Sequence, residues 1–224
     1  MVYVLYIVGM ENRIPKDVLY CLLSTQRRNQ VLSLCQEADR VQSSLAYLLL
    51  RMALYREYKI TKKPLFLFGE ENKPYFKDIT GIFFNLSHCK NAVLCAVGEV
   101  ENGVDIQEYG DINENASEMI FHTEEMTYLK SAVFPEQEKI RFWSMKEAYG
   151  KYLGKGILYD LPAVSFAKVL PDRWQQFQNA YILSTMQQTA AFSVCAKSPM
   201  TVCTVSHTEM IAFIKERYKI EGNA

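Results

Sequence analysis

The stretch FWSMKEAYGKYLGKG, residues 142–156, decides how this chain folds. On a helix turning about 100° per residue, Phe142, Met145, Ala148, Tyr149 and Tyr152 fall on one side and make a core stripe. Trp143, Glu147, Gly150, Lys151 and Gly154 fall on the opposite side. Glu147 and Lys151 stand four positions apart, so a carboxylate and an ammonium project from the same face. Gly150 beside them costs about 1 kcal/mol relative to alanine and leaves room for close approach. Read alone, the segment also fits a solvated Glu–Lys face with a glycine stop.

Upstream, ENGVDIQEYG (residues 101–110) reads as a strand entering a turn. Period two puts Asp105 and Gln107 on one face, with Val104 and Ile106 on the other. A hard cation such as Mg²⁺ takes few carboxylates plus phosphate and water oxygens, and Asp105 with Glu147 suits that. In FNLSHCKNA (residues 84–92), Ser87 and His88 fall at a strand edge or turn, where hydroxyl, imidazole and backbone N–H groups could bind phosphate oxygens. No GxSxG elbow accompanies them, so a serine hydrolase is not supported. In ENKPYF (residues 71–76), Lys73 sits in a turn fixed by Pro74, another candidate phosphate contact. Each of these has an ordinary structural reading as well: a strand end, a lone histidine, an exposed turn lysine.

The rest of the chain fits around these segments. Residues 2–8 read as a buried strand, and 15–23 and 25–58 as helices. Strands follow at 65–68, 74–76, 82–86, 92–97 and 104–107, then helices at 113–132 and 137–153. Strands are expected at 164–169, 180–185 and 190–196, and a last helix at 208–218. The run NAVLCAV in the first half has a counterpart, AAFSVCA, in the second. This order predicts an α+β protein of two similar α/β subdomains, divided softly near residue 100 into 1–100 and 101–224.

Composition narrows the function classes. Lys+Arg and Asp+Glu balance at 25 each, so no global positive field attracts nucleic acid. No apolar run approaches the roughly 20 residues that span a bilayer, so no membrane association is expected. The opening MVYVLYIVGMENRIP reads as a core strand rather than a secretory signal. The 6 cysteines show no metal-ligand spacing and read as free thiols of a cytoplasmic chain.

In order, NKP, FNLSH, GVDIQ and FWSMKEAYGKYLGKG resemble the motif series of the surfactin-type 4′-phosphopantetheinyl transferases, in the holo-acyl-carrier-protein synthase superfamily. ADRVQSSLAYLLLR (residues 38–51) is similar to that family's early helix, so the resemblance covers essentially the whole chain. It implies a pseudo-twofold fold whose halves form a cleft for coenzyme A and Mg²⁺, with Mn²⁺ as an alternative ion. Residues 1–100 would be the coenzyme A half; residues 101–224 would carry the metal and catalytic motifs and the carrier contact.

The implied reaction moves the 4′-phosphopantetheine arm from coenzyme A to a serine of an apo acyl or peptidyl carrier protein, releasing adenosine 3′,5′-bisphosphate. By the same resemblance, Asp105, Gln107 and Glu147 would hold the metal. Glu147 would also take the serine proton, and Lys151 would stabilise charge on the pyrophosphate. Arg27, Ser43, Lys73, Pro74, Ser87 and His88, with Asp105 and Lys151, would contact coenzyme A. Trp143 and Lys146 would support the helix. A monomer is expected.

Some positions depart from the family pattern. Gln107 stands where a third acid is usual and predicts weaker Mg²⁺ binding. Gln30 and Gln42 replace common basic residues, with Arg28 and Arg40 as candidate substitutes. The carrier-docking stretch, residues 109–129, offers Ile112, Met119, Ile120, Phe121 and Met126, but is itself acidic at Asp111, Glu114, Glu118, Glu124 and Glu125. Docking through apolar contacts is therefore expected. The alternatives are a catalytically weak coenzyme A-binding regulatory module of the same fold and a metal-dependent phosphodiesterase. The second explains Gly-Lys-Gly poorly.

Overall fold

The computed structural model describes residues 1–10, 13–69, 71–110, 117–155, 160–187 and 189–221. It is a mixed α+β chain that divides into two compact units. One comprises Met1–Gly69, Pro74–Glu99 and Met200–Ala224, the other Glu70–Lys73 and Val100–Pro199.

In the first unit, β1 (Val2–Tyr6) leads to helices α1 (Lys16–Cys21), α2 (Thr25–Leu32) and α3 (Glu37–Tyr58). Strands β2 (Phe66–Phe68) and β3 (Pro74–Phe76) form a two-stranded ribbon. β4 (Phe83–Cys89) and β5 (Ala92–Gly98) form a hairpin. The chain returns to this unit through β10 (Val202–Thr204) and α7 (His207–Glu221), giving a sheet of order β10-β1-β5-β4. β1 pairs with β10 in parallel and with β5 antiparallel. α3 is apolar on nearly every side from Val41 to Leu54 and is buried over that span, as a helix without a polar face must be. Buried Arg51 on α3 bonds both carboxylate oxygens of Glu221 and the carbonyls of Leu22 and Thr61, tying down the end of α7.

The single helix expected over 25–58 is two helices. The Ser33 hydroxyl bonds Gln30 O as α2 ends, and Arg40 Nε bonds Leu34 O across the break. Side chains there satisfy the backbone groups that the helix ends leave open. Cys35, in that break, is exposed. No glycine or proline marks the interruption, so periodicity runs straight through it.

The second unit holds β6 (Asn102–Glu108), α4 (Ser117–Ile120), α5 (Thr123–Ser131), α6 (Pro135–Leu153), β7 (Gln175–Phe177), β8 (Ala180–Met186) and β9 (Ala190–Ala196). Its strands make an antiparallel sheet of order β6-β9-β8-β7. β5 and β9, the two matching apolar runs, are each buried throughout and lie inside their sheets. Pro135 opens α6 at a position where its missing N–H costs nothing. Gly154 closes it at φ 77°, the left-handed cap that favours glycine.

The helix expected over 113–132 is broken at Phe121 and His122, and its residues 113–116 lie outside the described residues. His122 caps α5, with its own N–H received by Glu125. No strand forms over 164–169. Its backbone groups bond to side chains instead: Val164 O to Lys146, Phe166 N to Glu125 and Val169 O to Arg141. These contacts take the place of a ladder. The short strands β7 and β10 had no sequence signal.

Candidate active site

The packing of α6 on β6 builds the site. Gly103 and Asp105 share a face of β6, and a Cβ at Gly103 would lie 2.3 Å from both Ala148 O and Tyr152 N. Only a glycine lets the backbone of α6 come this close. The Ser144 hydroxyl, fully buried, adds a bond of 3.1 Å to the Asp105 carbonyl. The sequence marked Gly150 as leaving room for close approach; the structure shows close approach at Gly103, on the facing element.

That approach brings α6 side chains to Asp105, which is 1% exposed. Lys151 Nζ donates to Asp105 Oδ1 at 2.6 Å, and Gln107 Nε2 donates to Asp105 Oδ2 at 2.9 Å. Glu147 lies one turn before Lys151 and is half-buried. Burial raises its pKa, the nearby Asp105 charge raises it further, and Lys151 opposes both. Two acids and an amide thus converge beside one ammonium. Among the described residues no group of three or more His, Cys, Asp and Glu side chains could hold a metal. The expected ligand set has only two such residues because Gln107 is its third member.

Lys73, expected in an exposed turn, is half-buried and donates to Tyr152 O at 3.0 Å, near the end of α6. A cation there complements the helix dipole, while burial lowers its pKa. Trp143 is half-buried and packs against the core of this unit. Lys146 is completely buried and pairs with Glu125 at 2.9 Å. Glu125, one of the acids of the expected docking stretch, is an interior counter-ion. Phe121 is also interior, 3% exposed, whereas Met119 is 76% exposed. Asp111, Ile112, Glu114, the Glu118 side chain and Gly156 lie outside the described residues.

The comparisons with known proteins add the decisive observation. The 4′-phosphopantetheinyl transferase superfamily is matched over residues 101–205, the span that contains β6 and α6. The chain is 30% identical to the 4′-phosphopantetheinyl transferase psf-1 of Bacillus pumilus, over 77% of each chain. The chain belongs to the 4′-phosphopantetheinyl transferase superfamily. It is also 29% identical to the 4′-phosphopantetheinyl transferase gsp of Aneurinibacillus migulanus, over 87% of this chain and 77% of the relative. Similarity to the transferase Sfp of Bacillus subtilis strain 168 is 29% over 65% of each.

Within this transferase-family chain, the first unit carries the other expected contacts. Arg27 Nη2 donates to Ser43 Oγ at 2.7 Å and Ser43 O at 3.2 Å, so these two expected ligand contacts bond each other. Burial lowers the Arg27 pKa. Pro74 opens β3. Ser87 is buried and His88 exposed within β4, at the edge of its sheet. No helix among the described residues is long and apolar enough to cross a membrane.

Proposed function

We propose that this protein transfers 4′-phosphopantetheine from coenzyme A to the serine of an apo acyl or peptidyl carrier protein, the holo-[acyl-carrier-protein] synthase reaction, and releases adenosine 3′,5′-bisphosphate. The observation that carries the reading is Asp105 on β6 held at 2.6 Å from Lys151 on α6, with Glu147 one turn away, in a chain of this superfamily. The donor set fits Mg²⁺ or Mn²⁺: two carboxylates whose charges repel, and an amide oxygen within the same cluster. Asp105, Glu147 and Gln107 would hold the cation, which when bound supplies charge neutralisation for pyrophosphate oxygens.

The chain's own groups do the rest. Glu147, its pKa raised by burial, accepts the proton of the carrier serine, directly or through a water. Lys151 directs its ammonium at the phosphate oxygens and favours the charge that builds there as the phosphorus–oxygen bond to the leaving group breaks. Arg27, Ser43, Lys73, Pro74, Ser87 and His88 are proposed coenzyme A contacts. Docking of the carrier would be mainly apolar, with exposed Met119 as one contact.

Mass spectrometry of an apo carrier protein incubated with coenzyme A and Mg²⁺ tests this. The carrier should gain the phosphopantetheine mass, and Glu147→Ala should reduce the rate by about 10²–10⁴-fold. Coenzyme A binding with no mass gain across several carriers would favour the regulatory module instead.

A further inference from the structure

The carboxylate proposed to receive the cation already has a cation on it. Asp105 Oδ1 accepts from Lys151 Nζ at 2.6 Å, and Asp105 Oδ2 accepts from Gln107 Nε2 at 2.9 Å. Both oxygens are therefore engaged by the chain's own donors. The two partners of the ion pair differ in freedom. The Asp105 side chain is 2% exposed and short, on a strand pinned by Gly103 and Ser144 against α6. The Lys151 side chain is 27% exposed, on a flexible four-carbon stem. A divalent ion at Asp105 would repel an ammonium this close, in surroundings where charges are weakly screened.

We propose that Lys151 is an internal counter-ion of Asp105 that a divalent cation displaces, so that loading the site frees the Lys151 ammonium for the anionic substrate. This rests on the transferase reading, in which Asp105 and Glu147 hold the cation. Lys151 keeps the buried Asp105 charge compensated while the site waits, which avoids the cost of a lone interior carboxylate. Gln107 turns with it. Its amide now points N–H at Asp105, and rotation of that amide would offer the carbonyl oxygen instead. Availability of the Lys151 ammonium is thereby coupled to the cation, and an unloaded enzyme holds its anion-binding group in reserve.

The test is titration of the full chain with Mn²⁺, without coenzyme A, read by electron paramagnetic resonance. Lys151→Met should bind Mn²⁺ about tenfold more tightly than the unaltered protein, because a competing charge is gone. Lys151→Arg, which keeps the charge, should show no gain. Equal or weaker binding by Lys151→Met overturns the proposal. Should Lys151→Met fold poorly, the ¹⁵N signal of the Lys151 ammonium in the unaltered protein answers the same question: it should shift on addition of Mg²⁺, and an unmoved signal overturns the proposal. Failure of the underlying reading looks different. In that case Asp105→Asn leaves Mn²⁺ binding unchanged and the carrier gains no mass.

Discussion

Helix α6 carries two lysine–carboxylate pairs little more than a turn apart, and they do opposite things. Lys146 and Glu125 meet at 2.9 Å with both side chains wholly buried. Lys151 and Asp105 meet at 2.6 Å, but the lysine reaches solvent. The deeper pair is saturated. Lys146 spends its other two donors on Leu161 O and Val164 O, at 2.7 and 2.6 Å. Glu125 accepts from the backbone N–H groups of His122 and Phe166. Every group is used, so the pair locks α5, α6 and the 161–166 segment together and has nothing left to offer a ligand. The shallower pair has a partner that can leave. Both pairs join an ammonium to a carboxylate; access to water separates them, absent at Lys146–Glu125 and present at Lys151.

The largest expected effect falls on the fastening. Lys146→Met should destabilise the fold by about 3–5 kcal/mol, read as a drop in the denaturant midpoint, because Glu125 is left charged and buried. Adding Glu125→Gln removes the uncompensated charge but keeps an acceptor for only one of the two backbone N–H groups, so it should recover part of that loss. If the double variant is as unstable as the single one, the charge pair is not what holds these elements and the contrast between the pairs collapses.

Next in size is the packing that creates the open pair. Gly103→Ala puts a methyl group 2.3 Å from the carbonyl of Ala148 and the amide of Tyr152, which should cost about 1–3 kcal/mol. It should also slow transfer out of proportion to the stability lost, since α6 must shift away from Asp105. Unchanged turnover and melting temperature together would show that close approach at Gly103 does not set the Asp105–Lys151 geometry.

The smallest effect is expected at Gln107, which should make the open pair more like an ordinary acidic metal site. Gln107→Glu should lower the Mg²⁺ concentration needed for half-maximal transfer by a few-fold, through added attraction for the cation. An Mg²⁺ dependence identical to that of the parent would separate Gln107 from the metal.

Much of this was readable in the order of residues. The 3.6-residue stripe of Phe142, Met145, Ala148 and Tyr149 is the buried face of α6, and the apolar runs of β5 and β9 are interior strands. That Glu147 and Lys151 share a helix face was legible from their spacing, and the strand position of Asp105 from its place between Val104 and Ile106. What escaped was whatever depends on a partner distant in the chain. Glu125 looked like one more surface acid because nothing local marks it as the mate of Lys146. Residues 164–169 looked like a strand because their apolar content is real, while the side chains that take their hydrogen bonds come from α5 and α6. Phe121 looked like a docking residue and is core.

The sequence by itself determined most of the elements, their mixed α+β order, the superfamily and the candidate site residues Asp105, Glu147 and Lys151. These follow from periodicities and motifs that operate over a few residues and need no partner. Only the tertiary structure decided which ammonium belongs to which carboxylate, that Gly103 is a point of close contact, and that Lys73 bonds near the end of a helix. Those outcomes turn on burial and distance, which arise when β6, α5 and α6 pack together. Lys146 and Lys151 are the same residue type on the same helix, and only that packing buries one wholly and leaves the other in reach of solvent.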